Sequence, residues 1–411
     1  MKKICLTLAL VAVTLTLGAQ NRVSEYVAQL AETEPFVSSV WGVMAVNMKG
    51  DTLVDFNSRQ KMVPASNLKL ITTGLALYSL GPEFCFETDL DCSGEIRDGV
   101  LDGDLYIVGK GDPTLDSTAF AGWKRILESK GISKIKGDII ADDRFYSSPA
   151  DFEDWSYEDF ESEDASGVTG LSFNHNYRDK AEPSYDNALN CARCFHEYLR
   201  RNGIEVKGEF YDSASYPDEL LPVIELEYLG RTLSEPLKDI IVSTNHKSDN
   251  FYAEGLFRMM GRKFAQSDSY EDIRALEARL LIDLGLDIST GVVIRDGSGL
   301  SRKNYVSPDF FVRFLKRMVQ TASFDLYLES LPQPGKGTLS SRMQSYPSSL
   351  KERVYMKSGS MNGIRCFSGY IISPDGKQDN TVAFSILTNN NTAPSGTVLS
   401  VIDRIVALMA E

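Results

Sequence analysis

Alternating apolar and polar positions mark both ends of the chain and give way to a different pattern between them. Val43 to Met48 and Thr52 to Phe56 alternate around Lys49-Gly50-Asp51, the signature of a hairpin. Near the other end Val354 to Met356, Cys366 to Ile372 and Val382 to Leu387 alternate likewise. Apolar residues recur at helical spacing over residues 20–34, 65–80, 237–262, 270–284 and 397–409. Pro64 stops the first strand region and Gly81 closes the second helix. From Glu87 to Asp212 the character shifts to short strands such as Leu105 to Val108 and Asp138 to Ala141, many glycines, and an acidic run from Asp151 to Asp164 that reads as a solvated face. The terminal strands predict one sheet shared by both ends of the chain, with the glycine-rich middle as an insertion.

The first residues follow a pattern of their own. Lys2 and Lys3 precede a mostly apolar run from Ile4 to Leu17, followed by Gly18-Ala19-Gln20. That run is too short for the roughly 20 residues of a spanning helix, and the small residues after it suit cleavage after Ala19, so residues 1–19 read as a signal peptide. No later segment reads as a membrane span. The expected product is an exported protein, most simply periplasmic.

Composition narrows the class. With 411 residues, 43% apolar and 24% charged, the chain can bury a large core in two or three domains. A net charge of -14 argues against binding nucleic acid or anionic lipid through a basic surface. Five cysteines follow the signal: Cys85, Cys92, Cys191, Cys194 and Cys366. Cys191 and Cys194 fall within a helix read as capped by Asp186 and ended by Gly203, with no second pair to complete a zinc site, so they read as packed helix thiols. Cys85 and Cys92 could bridge a hairpin.

Candidate chemistry sits in short triplets. In Pro64-Ala65-Ser66-Asn67-Leu68-Lys69, residues three apart share a helix face, so the Lys69 amine lies beside the Ser66 hydroxyl. A serine needs a base to attack a carbonyl, and a lysine serves if burial and nearby positive charge lower its pKa. Ser248-Asp249-Asn250 and Lys357-Ser358-Gly359-Ser360 follow in that order. Asp296-Gly297-Ser298-Gly299 reads as a turn in support of them. Each triplet alone also has a plain structural explanation, such as a helix cap. Their joint order is the serine signature shared by penicillin-binding proteins and class A β-lactamases. His175, His196 and His246 have no Gly-x-Ser-x-Gly elbow to serve, which disfavours a histidine triad.

The chain resembles the D-alanyl-D-alanine carboxypeptidase/endopeptidase family of class C low-molecular-mass penicillin-binding proteins. Besides the triplets, the resemblance rests on Gly109-Lys110-Gly111-Asp112-Pro113-Thr114-Leu115, Asp142-Asp143-Arg144-Phe145 and Ser234-Glu235-Pro236-Leu237. It rests also on Asp249-Asn250-Phe251-Tyr252-Ala253-Glu254, Asp296-Gly297-Ser298-Gly299-Leu300-Ser301-Arg302 and Lys336-Gly337-Thr338-Leu339, and so spans nearly all of the mature chain. The stretch between Lys69 and Ser248 is far longer than in a class A β-lactamase, and no Glu-x-x-Leu-Asn deacylating element follows Asn250. The resemblance implies an α+β, β-lactamase/transpeptidase-like fold with a mainly antiparallel sheet flanked by helices. The catalytic domain would comprise residues 20–88 and 225–411, interrupted by a smaller inserted domain at 89–224. Leu171-Ser172-Phe173-Asn174 resembles the phrase that precedes a further insert in the family, yet a helix cap is already read at Asp186, so that outer insert is expected to be missing.

The implied activity is serine-type D-Ala-D-Ala carboxypeptidase and/or DD-endopeptidase action on peptidoglycan stem peptides ending in D-Ala-D-Ala, with β-lactams as covalent inhibitors and neither cofactor nor metal. By the resemblance Ser66 is the nucleophile, Lys69 its base and Ser248 the proton relay. Asn250, Lys357 and Ser358 bind substrate, and the backbone N–H groups of Ser66 and Ser360 form the oxyanion site. Ser358 stands where the family usually has threonine and keeps the hydroxyl. Arg365 is expected either to aid carboxylate binding or to form a surface ion pair, and Asp142 and Asp143 are candidates for an ammonium group of the stem peptide. Competing readings are a serine β-lactamase or esterase on the same fold, and a non-catalytic peptidoglycan-binding paralogue.

Overall fold

The computed structural model describes residues 22–148, 154–159, 165, 167–176, 186–216 and 226–411. The signal peptide, most of the acidic run and residues 177–185, where the expected loss of the outer insert falls, lie outside the described residues. The chain divides into two compact units, one of Met1–Leu80, Ile241–Asn250 and Arg274–Glu411, the other of Gly81–Ile240 and Phe251–Ile273.

The first unit is built on five strands: β1 (Val40–Asn47), β2 (Thr52–Phe56), β3 (Val354–Met361), β4 (Ile364–Ile371) and β5 (Val382–Asn389). Their order is β3-β4-β5-β1-β2, and every pairing is antiparallel. The two ends of the chain therefore meet at the β1–β5 seam, where Val43 faces Ile386. The central strand β5 is buried at every position except its last, because both faces of the sheet are covered. On one face Trp41, Val43, Ala45, Phe384 and Ile386 pack in a core with Val23 and Val27 of α1 (22–31) and with Val398, Ile402 and Ile405. The latter three belong to the C-terminal helix Ser395–Met409.

On the opposite face Gly42 lies under Pro308, since a Cβ there would come within 2.9 Å of the proline ring. Pro308 opens the helix Pro308–Met318, whose Ser307 cap accepts from Phe310 N at 3.2 Å. Tyr370 of β4 donates to Leu315 O of that helix at 2.8 Å. The helix α2 (Lys69–Leu80) is preceded by a 3-10 turn over Ala65–Leu68.

The helix expected over residues 237–262 is interrupted. It runs as α3 (Leu237–Lys247) and resumes as α4 (Asn250–Met260), with Ser248 between them in a left-handed conformation at φ 60°. Apolar spacing survives a break this short, so periodicity alone reads it as continuous.

The second unit has a mixed sheet in the order Phe210–Asp212, Ile139–Asp142, Leu105–Gly109, Glu87–Cys92 and Glu227–Leu233. Leu90, Leu105, Ile107 and Ile139 on this sheet share a core with Phe120 and Trp123 of one helix and Phe195 and Leu199 of another. Cys191 is buried on the helix Asn187–Arg201, and burial pushes its thiol well up; Cys194 is half-buried on the same helix. Asp186 stands at the N-terminus of that helix, but its side chain makes no capping bond. Gly203 follows the C-terminus at φ 88°. Cys85 and Cys92 are both free thiols, so the hairpin disulfide does not form. No helix among the described residues is long and apolar enough to cross a membrane.

Candidate active site

The start of α2 is fixed by contacts distant in sequence. Ala65 takes a left-handed φ of 48°, and Asn67 Nδ2 donates to Ser368 Oγ at 2.7 Å, which in turn donates to Ser385 Oγ at 2.8 Å. This buried polar chain ties the turn to β4 and β5. Strand β3 comes equally close. A Cβ on Gly359 would lie 2.6 Å from Pro64 O and 2.8 Å from Asn67 N, an approach only glycine allows.

Lys69 is fully buried at the first position of α2. Its Nζ donates to Ser66 Oγ at 3.0 Å, Asn250 Oδ1 at 2.5 Å and Ser298 O at 2.8 Å. Ser298 O reaches the site because the Asp296 carboxylate folds its own loop, accepting from Gly299 N at 2.9 Å, Ser301 N at 2.6 Å and Asn304 Nδ2 at 2.7 Å. Thr72 Oγ1 donates to Gly297 O at 2.6 Å and holds that loop to α2.

A second lysine sits on the edge strand. Lys357 is fully buried, and its Nζ donates to Ser248 Oγ at 2.8 Å and Ser358 O at 2.7 Å. Burial first, and the charge of Lys69 second, hold its pKa well below the ordinary lysine value. Ser358 Oγ donates to Thr338 Oγ1 at 3.0 Å. The Met356 amide leaves the sheet to reach Pro332 O at 3.0 Å. Strand periodicity turns the Ser358 and Ser360 amides to that same open edge.

Residues 23–181 and 182–410 match the D-Ala-D-Ala carboxypeptidase 3 (S13) family. The chain belongs to this family. It is a hydrolase, a serine-type D-Ala-D-Ala carboxypeptidase. It is 27% identical to a D-alanyl-D-alanine carboxypeptidase of Actinomadura sp., over 94% of this chain and 84% of the relative. It is 25% identical to the D-alanyl-D-alanine carboxypeptidase DacB of Haemophilus influenzae, over 87% of each. In fold it is similar to the crystal structure of penicillin binding protein 4 from that organism, with a TM-score of 0.78, 23% identity and coverage of 93% and 97% of the two chains. That protein has also been solved in complex with a novel β-lactam, at a TM-score of 0.73 and 22% identity over 94% and 97%. A predatory peptidoglycan endopeptidase from Bdellovibrio bacteriovorus matches at a TM-score of 0.59 and 18% identity over 91% and 92%.

All three triplets of this family member thus lie in one unit. Ser66, Lys69 and Asn250 form one cluster, while Ser248, Lys357 and Ser358 form another along β3. Ser298 O and Thr338 Oγ1 are additions that sequence reading left among supporting phrases, since a backbone carbonyl and a loop hydroxyl carry no spacing signal. Among the described residues Arg365 pairs with no carboxylate: Nη1 donates to Met361 O at 2.7 Å and Ile364 O at 2.6 Å, and Nη2 to Ser395 Oγ at 2.8 Å. In the other unit Asp142 is held by Arg144 at 2.9 and 2.7 Å, and Asp143 accepts from Ser213. Of the histidines, His196 Nε2 meets Gly208 O at 3.1 Å, and His175 stacks on Tyr252 with ring centroids 4.9 Å apart.

Proposed function

We propose that Ser66 is the nucleophile of this enzyme and Lys69 its base, acting on peptidoglycan stem peptides that end in D-Ala-D-Ala. The observation that carries the reading is the 3.0 Å contact between Lys69 Nζ and Ser66 Oγ at a fully buried lysine. In the reaction Ser66 Oγ attacks the carbonyl carbon between the two D-alanines while its proton passes to neutral Lys69. The backbone N–H groups of Ser66 and Ser360 receive the oxyanion; the close approach of Gly359 to the Ser66 turn and the open edge of β3 support this. The C–N bond then breaks and the departing amine takes a proton from Ser248, which Lys357 holds at 2.8 Å; the proton that Lys69 took from Ser66 refills Ser248 and leaves Lys69 neutral. Water hydrolyses the ester with Lys69 again as base.

Lys357 and Ser358 hold the terminal carboxylate, or in endopeptidase action the carboxylate beside a cross-link. Asn250 has two faces: Oδ1 orients Lys69, and its amide suits the backbone of the donor peptide. β-Lactams present the same carbonyl and carboxylate and acylate Ser66, a reading supported by the β-lactam complex of the Haemophilus protein. Residues 1–19 direct export, and the periplasm is the site of action.

Labelling by a fluorescent penicillin tests the core of this reading. Ser66→Ala should abolish the covalent adduct, and Lys69→Ala should slow its formation by orders of magnitude. An adduct that persists in Ser66→Ala would overturn the assignment.

A further inference from the structure

Beyond the triplets, one hydroxyl stands at the end of the Lys357 strand without a role. Thr338 lies in the turn Gly337–Leu339 and accepts from Ser358 Oγ at 3.0 Å. The turn is fixed on several sides. Gly337 has φ 50°, and a Cβ there would fall 2.6 Å from His246 O, so the turn lies directly on the end of α3. Leu339 is fully buried in the core, and its carbonyl accepts from Gly335 N at 2.8 Å. A few residues on, Asp403 accepts from Met343 N at 3.1 Å and pairs with Arg342 at 2.6 Å. Thr338 itself is exposed, so a well-anchored loop presents its hydroxyl to solvent beside Ser358.

Two adjacent hydroxyls carry two protons. One proton bridges the pair and the other is left to donate outward. A lone serine hydroxyl turns freely among its rotamers, whereas threonine is stiff at χ1 and fixes the direction of its partner. We propose that Thr338 is a specificity-determining residue: its hydroxyl and that of Ser358 form, with Lys357, the cradle that selects acyl donors bearing a free carboxylate. This rests on the roles proposed above for Lys357 and Ser358.

The test compares second-order acylation rates of the full-length enzyme by a β-lactam free acid and by its methyl ester. Thr338→Val, which keeps the side-chain shape, should slow acylation by the free acid about tenfold and leave the ester rate unchanged. Thr338→Ser should retain the free-acid rate. Equal losses on acid and ester, or no loss on either, would overturn the proposal by assigning Thr338 to loop folding or to nothing. A wild-type enzyme inert toward the free acid would instead overturn the Ser66 reading, and this proposal with it.

Discussion

Lys357 Nζ donates to Ser248 Oγ at 2.8 Å across 109 residues of chain, and this bond joins the edge strand β3 to the break between α3 and α4. The lysine is buried, and its pKa lies well below the ordinary lysine value because burial disfavours the ammonium and Lys69 adds like charge. Its charge is therefore present at low pH and lost, as pH rises, earlier than that of an exposed lysine. Lys357→Ala should weaken hydrolysis of a peptide with a free terminal carboxylate by about tenfold or more, and that of the amidated peptide far less. In the wild type the preference for the free acid should decline with rising pH earlier than an ordinary exposed lysine would lose its charge. Equal losses on both peptides would assign Lys357 to the fold or the proton relay alone.

Asn250 Oδ1 is 2.5 Å from Lys69 Nζ, so the charge at residue 250 sets how readily the lysine gives up its proton. Asn250→Asp keeps the size but adds a negative charge that favours the ammonium. Acylation at neutral pH should fall about 10- to 100-fold, and the rising limb of its pH profile should move to more alkaline values. Stopped-flow acylation across the pH range measures both. A profile that drops without moving would mean that Asn250 acts only on the substrate.

Gly359 separates β3 from the Ser66 turn. A methyl group would enter to 2.6 Å from Pro64 O and 2.8 Å from Asn67 N, both backbone atoms that cannot swing aside. Gly359→Ala should cost about 1 to 3 kcal/mol in stability and about 100-fold in acylation, since the displaced backbone flanks Ser66, the proposed nucleophile, and its proposed oxyanion donor. Thermal melting and penicillin labelling give the two values. Full acylation in a stable variant would show that the strand can retreat without penalty.

His246 supplies a stability prediction. Its Nε2 is buried with no hydrogen-bond partner among the described residues, and burial, then the charge of Lys336, hold its pKa below the usual value of 6.5. Below that pH the unfolded chain takes up a proton that the folded one resists, so stability falls as pH falls. The slope from this residue cannot exceed about 1.4 kcal/mol per pH unit, and solvent screening keeps it smaller. Urea midpoints measured from pH 7 to 5 should fall less steeply in His246→Asn than in the wild type. Parallel slopes would show that the imidazole titrates freely in the folded protein.

Ser66 and Lys69 are three residues apart, so their contact follows from local helical geometry and was legible in the chain itself. The apolar strands at both ends also foretold a sheet shared by both termini, although a sheet covered on both faces buries nearly every position of a strand such as β5 rather than alternate ones. The left-handed Ser248 that divides α3 from α4 leaves no such mark, and the free thiols of Cys85 and Cys92 were equally beyond reach of their spacing.

Tertiary structure alone decided what surrounds the two lysines. Asn250 Oδ1 and Ser298 O meet Lys69 from segments 181 and 229 residues away, and Thr338 meets Ser358 from a loop anchored by Asp403. Sequence pattern records which face of an element is buried. Which polar atom completes the shell of a buried lysine depends on loop paths, and those are set by hydrogen bonds such as the ones Asp296 receives, whose donors bear no periodic relation to the site they shape.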